Sequence, residues 1–450
     1  MMEGMSEPSL AFPTPRARPT TTAGGRVMSV AASLVVALVA GCTVPTSAAA
    51  PMDVVPSPTA VLPDSAVLAA KLKTVSRKGI SSVALQITTT DGKAVYSKTV
   101  TKPLAPASTM KVMTALAALD RLGSTTTFAT RVVDAGSGRV VLIGGGDPLL
   151  TDRKSSSRYK PASLQALAGA TAAALKAKGR TRIALGYDAT LFSGPLFNPA
   201  WKKSWRASEA RVAALEINSG KLSRYRADRN PALTAAKAFS ARLKKAGITV
   251  TSVASTRASA GSTELARVTS ASLALIVKRT LLISDNVAAE TISRHAAVAN
   301  RRPGSFKGAA TNVTAWLIAH GLWRSGQRIM DGSGLAPTSR LTALSLAAAM
   351  RLALADSRYG AVIAGLPVAA ETGTLASRFD DKSERAGRHV VHAKTGTLRG
   401  VAGLVGYLTT RDGARLVFAE LVNTSQSVSY NRMYNWLDRS AALTAACGCH

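Results

Sequence analysis

The chain has 450 residues, 46% apolar and 18% charged, which allows more than one packed core and excludes wholesale disorder. Its 57 Lys and Arg against 25 Asp and Glu give a net charge of +32, which points to anionic surroundings and says nothing about fold. Three cysteines exclude a disulfide scaffold or a thiolate metal centre, and five histidines without H-x-x-x-H or H-x-H spacing argue against a zinc hydrolase, so no metal or cofactor is expected.

Residues 1–50 read as an export signal. Arg16, Arg18 and Arg26 precede an apolar stretch over residues 27–41, shorter than the roughly 18 residues that a membrane-spanning helix needs. Two endings are open. Val39-Ala40-Gly41-Cys42 resembles a lipobox with Cys42 lipidated, and Ala48-Ala49-Ala50 fits ordinary cleavage; the lipobox abuts the apolar run and is favoured. Residues 51–63 are Pro-rich and read as a linker. Apolar spacing predicts a helix over 65–76, then strands over 83–88 and 94–98 joined at Asp91-Gly92, then a helix over 112–122. Residues 129–261 hold 23 Lys and Arg against 7 Asp and Glu, half the net charge in under a third of the chain, and read as an inserted basic domain. Gly144-Gly145-Gly146-Asp147-Pro148 lacks the ending of a phosphate loop and reads as a turn. Helices are expected over 273–283, 287–299, 311–320 and 341–354. Strands are expected over 390–395, 402–409 and 415–422, the last two joined at Arg411-Asp412-Gly413, and an amphipathic helix closes the chain from Tyr430. Two early and three late strands can form one antiparallel five-stranded sheet flanked by helices, an α/β sandwich built from residues 64–128 and 262–446.

Three short motifs carry chemistry. Ser108-Thr109-Met110-Lys111 opens a predicted helix, where three-residue spacing projects the hydroxyl and the ammonium together. A neutral Lys111 could take the hydroxyl proton from Ser108. Ser284-Asp285-Asn286 enters a helix and, alone, reads as a cap. Lys394-Thr395-Gly396-Thr397 ends a predicted strand, where a glycine admits close approach and an edge can take an extended peptide. Glu371-Thr372-Gly373-Thr374 looks similar but lacks the lysine, and Asp331-Gly332-Ser333-Gly334 reads as a tight turn. Cys447 and Cys449 could pair in an oxidising compartment. Each motif alone is weak; in this order they supply a nucleophile and base, a second serine with an amide, and a cation for a carboxylate.

In these motifs, and in Leu142 to Leu149, Asp285 to Glu290, Asp331 to Leu335 and Ala393 to Leu398, the chain resembles the class C low-molecular-mass penicillin-binding proteins, the D-alanyl-D-alanine carboxypeptidase/endopeptidase family. The resemblance runs from about Asp64 to the C-terminus. It implies a serine β-lactamase/transpeptidase-like sandwich with an inserted accessory domain, peptidoglycan peptides as substrates and β-lactams as inhibitors. It implies Ser108 as acylated nucleophile, Lys111 as base, Ser284 as proton relay and Asn286 as a substrate-amide contact. Lys394, Thr395 and Gly396 would hold the terminal carboxylate, and the Ser108 and Thr397 amides would form an oxyanion hole. The 175 residues between Ser108 and Ser284 are fewer than in three-domain members, so one accessory domain is expected to be missing or reduced.

Rivals fare worse. A Ser-His-Asp hydrolase lacks a G-x-S-x-G elbow. A nucleic-acid binder fits poorly with scattered basic residues, 5% aromatics and an export signal, and an anionic cell envelope accounts for the charge. A non-catalytic wall-binding protein would not need both Ser108 and Lys111. A serine β-lactamase shares all three motifs; Glu290 and Glu371 are the candidate deacylation bases, and the long insertion favours the peptidase.

Overall fold

The structure, a computed structural model, describes residues 60–223 and 225–448. The export signal, Cys42, most of the linker and Cys449 lie outside the described residues.

In chain order, helix α1 (Ser65–Lys73) starts at Asp64, whose side chain accepts from the Ala66 and Val67 amides. Strands β1 (Ser82–Thr89) and β2 (Ala94–Lys98) form a hairpin, and α2 (Met110–Leu122) continues a 3-10 turn over Ala107–Thr109. There follow β3 (Ala129–Asp134), β4 (Arg139–Ile143), α3 (Leu164–Ala177) and β5 (Arg182–Asp188). The short pair β6 (Lys221–Ser223) and β7 (Arg226–Ala227) precedes α4 (Pro231–Lys245), β8 (Thr249–Ser255) and β9 (Thr263–Thr269). Helices α5 (Leu273–Leu282), α6 (Asn286–Ala299), α7 (Phe306–Ala319), α8 (Ala343–Ala355) and α9 (Gly360–Ala364) come next. Strands β10 (Val391–Leu398), β11 (Val401–Thr409) and β12 (Arg415–Asn423) and helix α10 (Tyr430–Ala445) complete the chain.

The first sheet runs β10-β11-β12-β1-β2, antiparallel throughout, with Ser82 opposite Asn423 and Thr397 opposite Ala402. Both faces are covered. Val405, Val417, Ala419 and Leu421 pack beneath α2, α5, α6 and α8, whereas Leu404, Leu408, Leu416 and Phe418 face α1 and α10. Alternate side chains meet different cores, so the strands read as continuous apolar runs. Three elements differ in extent from their sequence signals. Helix α1 ends at Lys73, three residues before the expected Ser76, with Thr74 as its C-cap. Helix α7 begins at Phe306 because Ser305 caps it on the Gly308 amide, and β10 runs on to Leu398, so that the whole Lys394–Thr397 motif is strand.

The second sheet, order β8-β5-β4-β3-β9, is mixed: β4, β5 and β8 are parallel, and β3 is antiparallel to β4 and β9. Helices α3 and α4 cover its Val132, Leu142, Ile183 and Leu185 side. Strand β9 pairs with β3 and so belongs to this sheet, although it follows residue 261. The Gly144–Asp147 segment is an irregular turn after β4, held by bonds from Gly144 N to Asp188 O and from Gly146 N to Ala214 O. Cys447 is buried and disulfide-bonded.

Candidate active site

Ser108 lies in the 3-10 turn that opens α2, after Ala107, whose φ of 46° is costly for a residue with a Cβ. Two glycines let other segments close on this turn. A Cβ at Gly334 would stand 1.9 Å from Ala107 O, and one at Gly396 would stand 2.7 Å from Pro106 O. The Asp331–Leu335 loop and β10 therefore both clamp the residues that carry Ser108.

One turn on, Lys111 is buried, and its Nζ donates to Ser108 Oγ (2.8 Å), Asn286 Oδ1 (2.8 Å) and Ser333 O (2.9 Å). No carboxylate lies within ion-pair distance of it among the described residues. Burial lowers its ammonium to about 8, against the pull of Asp331, Glu290, Asp285 and Glu209. About a tenth is then neutral at pH 7, far more than for a solvated lysine.

Asp285 caps α6 by accepting from the Ala288 amide and pairs with Arg279 at 2.5 Å. The capping reading of Ser284-Asp285-Asn286 holds, and the cap starts α6 at Asn286, whose Oδ1 faces Lys111. Ser284 has φ 59°, and its Oγ accepts from Lys394 Nζ at 3.0 Å. Lys394 is fully buried and also donates to Thr395 O (2.6 Å). Burial holds its ammonium well below the usual lysine range, and the charge of Lys111 adds to this. Among the described residues no carboxylate lies within ion-pair distance of it. Thr397 Oγ1 lies 3.0 Å from the Tyr434 hydroxyl of α10.

Motif residues from α2, the α6 entry and β10 are therefore brought together around Ser108. Four further residues support the site, none of which the sequence reading assigns to it. Glu209, from the connection after β5, accepts from Asn286 Nδ2 at 3.3 Å. Tyr434 bonds Thr397. Thr374 lies 2.6 Å from Thr395 Oγ1, so the lysine-less Glu371–Thr374 motif supports the other one. Asp331 anchors its loop, accepting from Trp201 Nε1 and the Gly334 and Ala336 amides. Asp331 stands in a segment that carries the family resemblance and Thr374 in the lysine-less motif; for Glu209 and Tyr434 only proximity in the fold reveals the role. Ser333 is buried, bonds Asp331 and offers Lys111 its carbonyl, so it is no second nucleophile. Glu290 accepts from the Gly332 and Ser333 amides at 3.1 and 2.7 Å, and Glu371 is exposed beside His389. Neither carboxylate is placed as a deacylation base.

The sheet, its helices and the Ser–Lys pair define a serine β-lactamase/transpeptidase-like protein with an extra domain. The chain belongs to the D-Ala-D-Ala carboxypeptidase 3 (S13) family, whose model matches residues 66–225 and 214–442. It is 34% identical over 407 residues to Carboxypeptidase Rv3627c of Mycobacterium tuberculosis, covering 87% of this chain and 86% of that protein. It is 32% identical over 372 residues to Carboxypeptidase DacB of Mycolicibacterium smegmatis, covering 80% of this chain and 79% of that protein. The fold is similar to the crystal structure of penicillin binding protein 4 from Haemophilus influenzae, with a TM-score of 0.70 and 19% identity, covering 83% of this chain and 97% of that one.

Proposed function

We propose that the protein removes the terminal D-alanine from peptidoglycan stem peptides through an acyl-enzyme at Ser108, and that penicillins inhibit it by forming a persistent ester there. The observation that carries this reading is the 2.8 Å bond between a buried, pKa-lowered Lys111 and Ser108. Neutral Lys111 takes the Ser108 proton, and Ser108 Oγ attacks the penultimate D-alanyl carbonyl carbon. The oxyanion is held by the Ser108 and Thr397 amides. The C–N bond breaks, and D-alanine leaves with a proton relayed through Ser284. Water then hydrolyses the ester, which returns Ser108 to its hydroxyl form. Asn286 orients the stem-peptide amide, and the substrate carboxylate binds at Lys394, where its negative charge favours the ammonium, with Thr395 and Gly396 beside it. Endopeptidase cleavage of a crosslink breaks the same kind of bond and fits the same site.

The reading extends to setting. Residues 1–50 export the chain, with Cys42 as lipidation point, and residues 51–63 tether the folded part. The basic inserted domain, extended through β9, faces the anionic envelope. The experiment is labelling of the full chain with a fluorescent penicillin, followed by peptide mapping and a chase. Label is expected on the Ser108 peptide, lost in Ser108→Ala and slowed about 100- to 10,000-fold in Lys111→Met. D-alanine should be released from a D-Ala-D-Ala peptide. Rapid multiple turnover of penicillin without D-alanine release would instead favour a β-lactamase.

A further inference from the structure

Glu209 belongs to the insertion, not to any of the three motifs, yet it touches one of them. The connection that carries it is pinned to the catalytic part. Asn198 Nδ2 donates to Met330 O at 3.0 Å, Trp201 Nε1 donates to Asp331 at 2.8 Å, and the Glu209 amide closes a turn on Trp205 O at 2.8 Å. Its carboxylate reaches Asn286 Nδ2 at 3.3 Å, while the Oδ1 of the same amide accepts from Lys111 at 2.8 Å. A carboxylate can only accept and an ammonium can only donate, so the two partners fix one orientation of the Asn286 amide.

We infer that Glu209 is a positioning residue for acylation, holding the Asn286 amide so that the Lys111 lone pair stays free for the Ser108 proton. The need arises when Lys111 is neutral. A neutral amine accepts as well as donates, so a flipped Asn286 could donate Nδ2–H to Lys111 and consume the lone pair that acts as base. Glu209 engages that N–H and removes the competing arrangement. A second effect is electrostatic. Lys111 is faced by Glu290 of α6, Asp285 at its cap, Asp331 of the adjoining loop, Lys394 of β10 and Glu209. Of these acids, Glu209 alone comes from the insertion, and its negative charge favours the ammonium. The insertion thereby fixes the geometry beside a base that it does not contain, and adds the smallest of the four acidic pulls on its ammonium, after Asp331, Glu290 and Asp285.

The inference rests on the acyl-transfer reading, and the experiment separates the two. Penicillin acylation rate constants of the full chain are measured from pH 6 to 10 for wild type, Glu209→Ala and Glu209→Gln. Thermal melts confirm that each variant is folded. In Glu209→Ala the high-pH plateau should fall about three- to tenfold, the size of one net hydrogen bond. In Glu209→Gln the plateau should return towards wild type, because the glutamine carbonyl still accepts from Asn286. In both variants the acid limb should move to lower pH, because a negative charge facing Lys111 is gone. An unchanged plateau in Glu209→Ala, a failed rescue by glutamine, or a limb that stays at the wild-type pH each overturns the inference. A wild type that never labels on Ser108 would overturn the acyl-transfer reading instead.

Discussion

The two five-stranded sheets of this chain are built differently. In the first, β11 and β12 are buried along almost their whole length, because helices cover both faces. In the second, α3 and α4 cover one face; β8 keeps only Val250 buried and β9 has no fully buried residue. The first sheet gives up surface exposure for rigidity, and the Ser108 turn leans on it through Gly396. The second is exposed mainly along its edge strands β8 and β9, and the connection after β5 brings one acidic side chain, Glu209, to the site. The Ser108 turn thus rests on the sheet that is covered on both faces, and the other sheet's connection reaches the same site through Glu209.

The largest expected contrast is in stability. Leu404 of β11 is fully buried, and Leu265 of β9 is only partly buried, packed at the margin of the second core. Leu404→Ala removes packed methyl groups from a core with little room to collapse and should cost about 2–5 kcal/mol. Leu265→Ala should cost less than about 1 kcal/mol. Urea unfolding midpoints measure both, and equal losses would break the comparison between the sheets.

The same contrast explains what was legible in the sequence. The strands of the first sheet carry long apolar runs, and their helices have clear 3.6-residue spacing and capping residues such as Asp64 and Asp285, so their positions could be read within a few residues. Strands β8 and β9, with sequences TVTSVAS and TELARVT, are the two edges of the second sheet and carry polar or small side chains at most positions, so no apolar run marks them. The boundary at residue 261 accordingly left β9 with the wrong sheet. The motifs around Ser108, Ser284 and Lys394 were legible because each is a local spacing. Glu209, Thr374 and Tyr434 were not, because they reach the site from segments whose nearness exists only once the chain has folded.

Where the two regions meet, stability should depend on pH in two opposing ways. Asp147 ends the glycine turn of the second sheet and is buried, with Oδ1 accepting from the Leu149 amide. Loss of water pushes its carboxyl up to about 7. His295 of α6 is buried against Phe128, with ring centroids 3.7 Å apart, and its Nε2 lies 2.9 Å from Gly146 O; burial lowers it to about 4. Between about pH 4 and 7 the folded chain holds a proton on Asp147 that the unfolded chain releases, so this group's contribution falls as pH rises. Between about pH 4 and 6.5 the unfolded chain binds a proton that folded His295 refuses, so that contribution rises with pH. Relative to wild type, Asp147→Asn should gain stability as pH rises across this window, and His295→Gln should lose it. The slope has a ceiling of about 1.4 kcal/mol per pH unit. Unfolding at pH 5 and 7 reads both differences, and two flat lines would show that the seam does not titrate.

The smallest expected effect tests whether the far face of the first sheet serves catalysis as well as stability. Helix α10 covers that face, and its Tyr434 hydroxyl lies 3.0 Å from Thr397 Oγ1 at the end of β10. The Tyr434 ring is itself held: the Arg378 guanidinium sits 4.4 Å from its centroid and donates twice to Asp438, at 3.0 and 2.5 Å. Tyr434→Phe keeps the ring, its packing and the cation–π contact and removes one hydroxyl. If that hydroxyl steadies the strand end whose amide faces the oxyanion, the loss should appear in the acylation rate constant and hardly in the binding of penicillin before acylation. One net hydrogen bond is worth about 0.5–1.5 kcal/mol, so the expected drop is about two- to twelvefold. Thr397→Val removes the other half of the same bond while leaving the backbone amide in place. The double variant should therefore be no slower than the slower single, because partners in one bond do not add. Additive losses, or a Tyr434→Phe rate equal to wild type, would confine α10 to packing and leave the strand end held by the sheet alone.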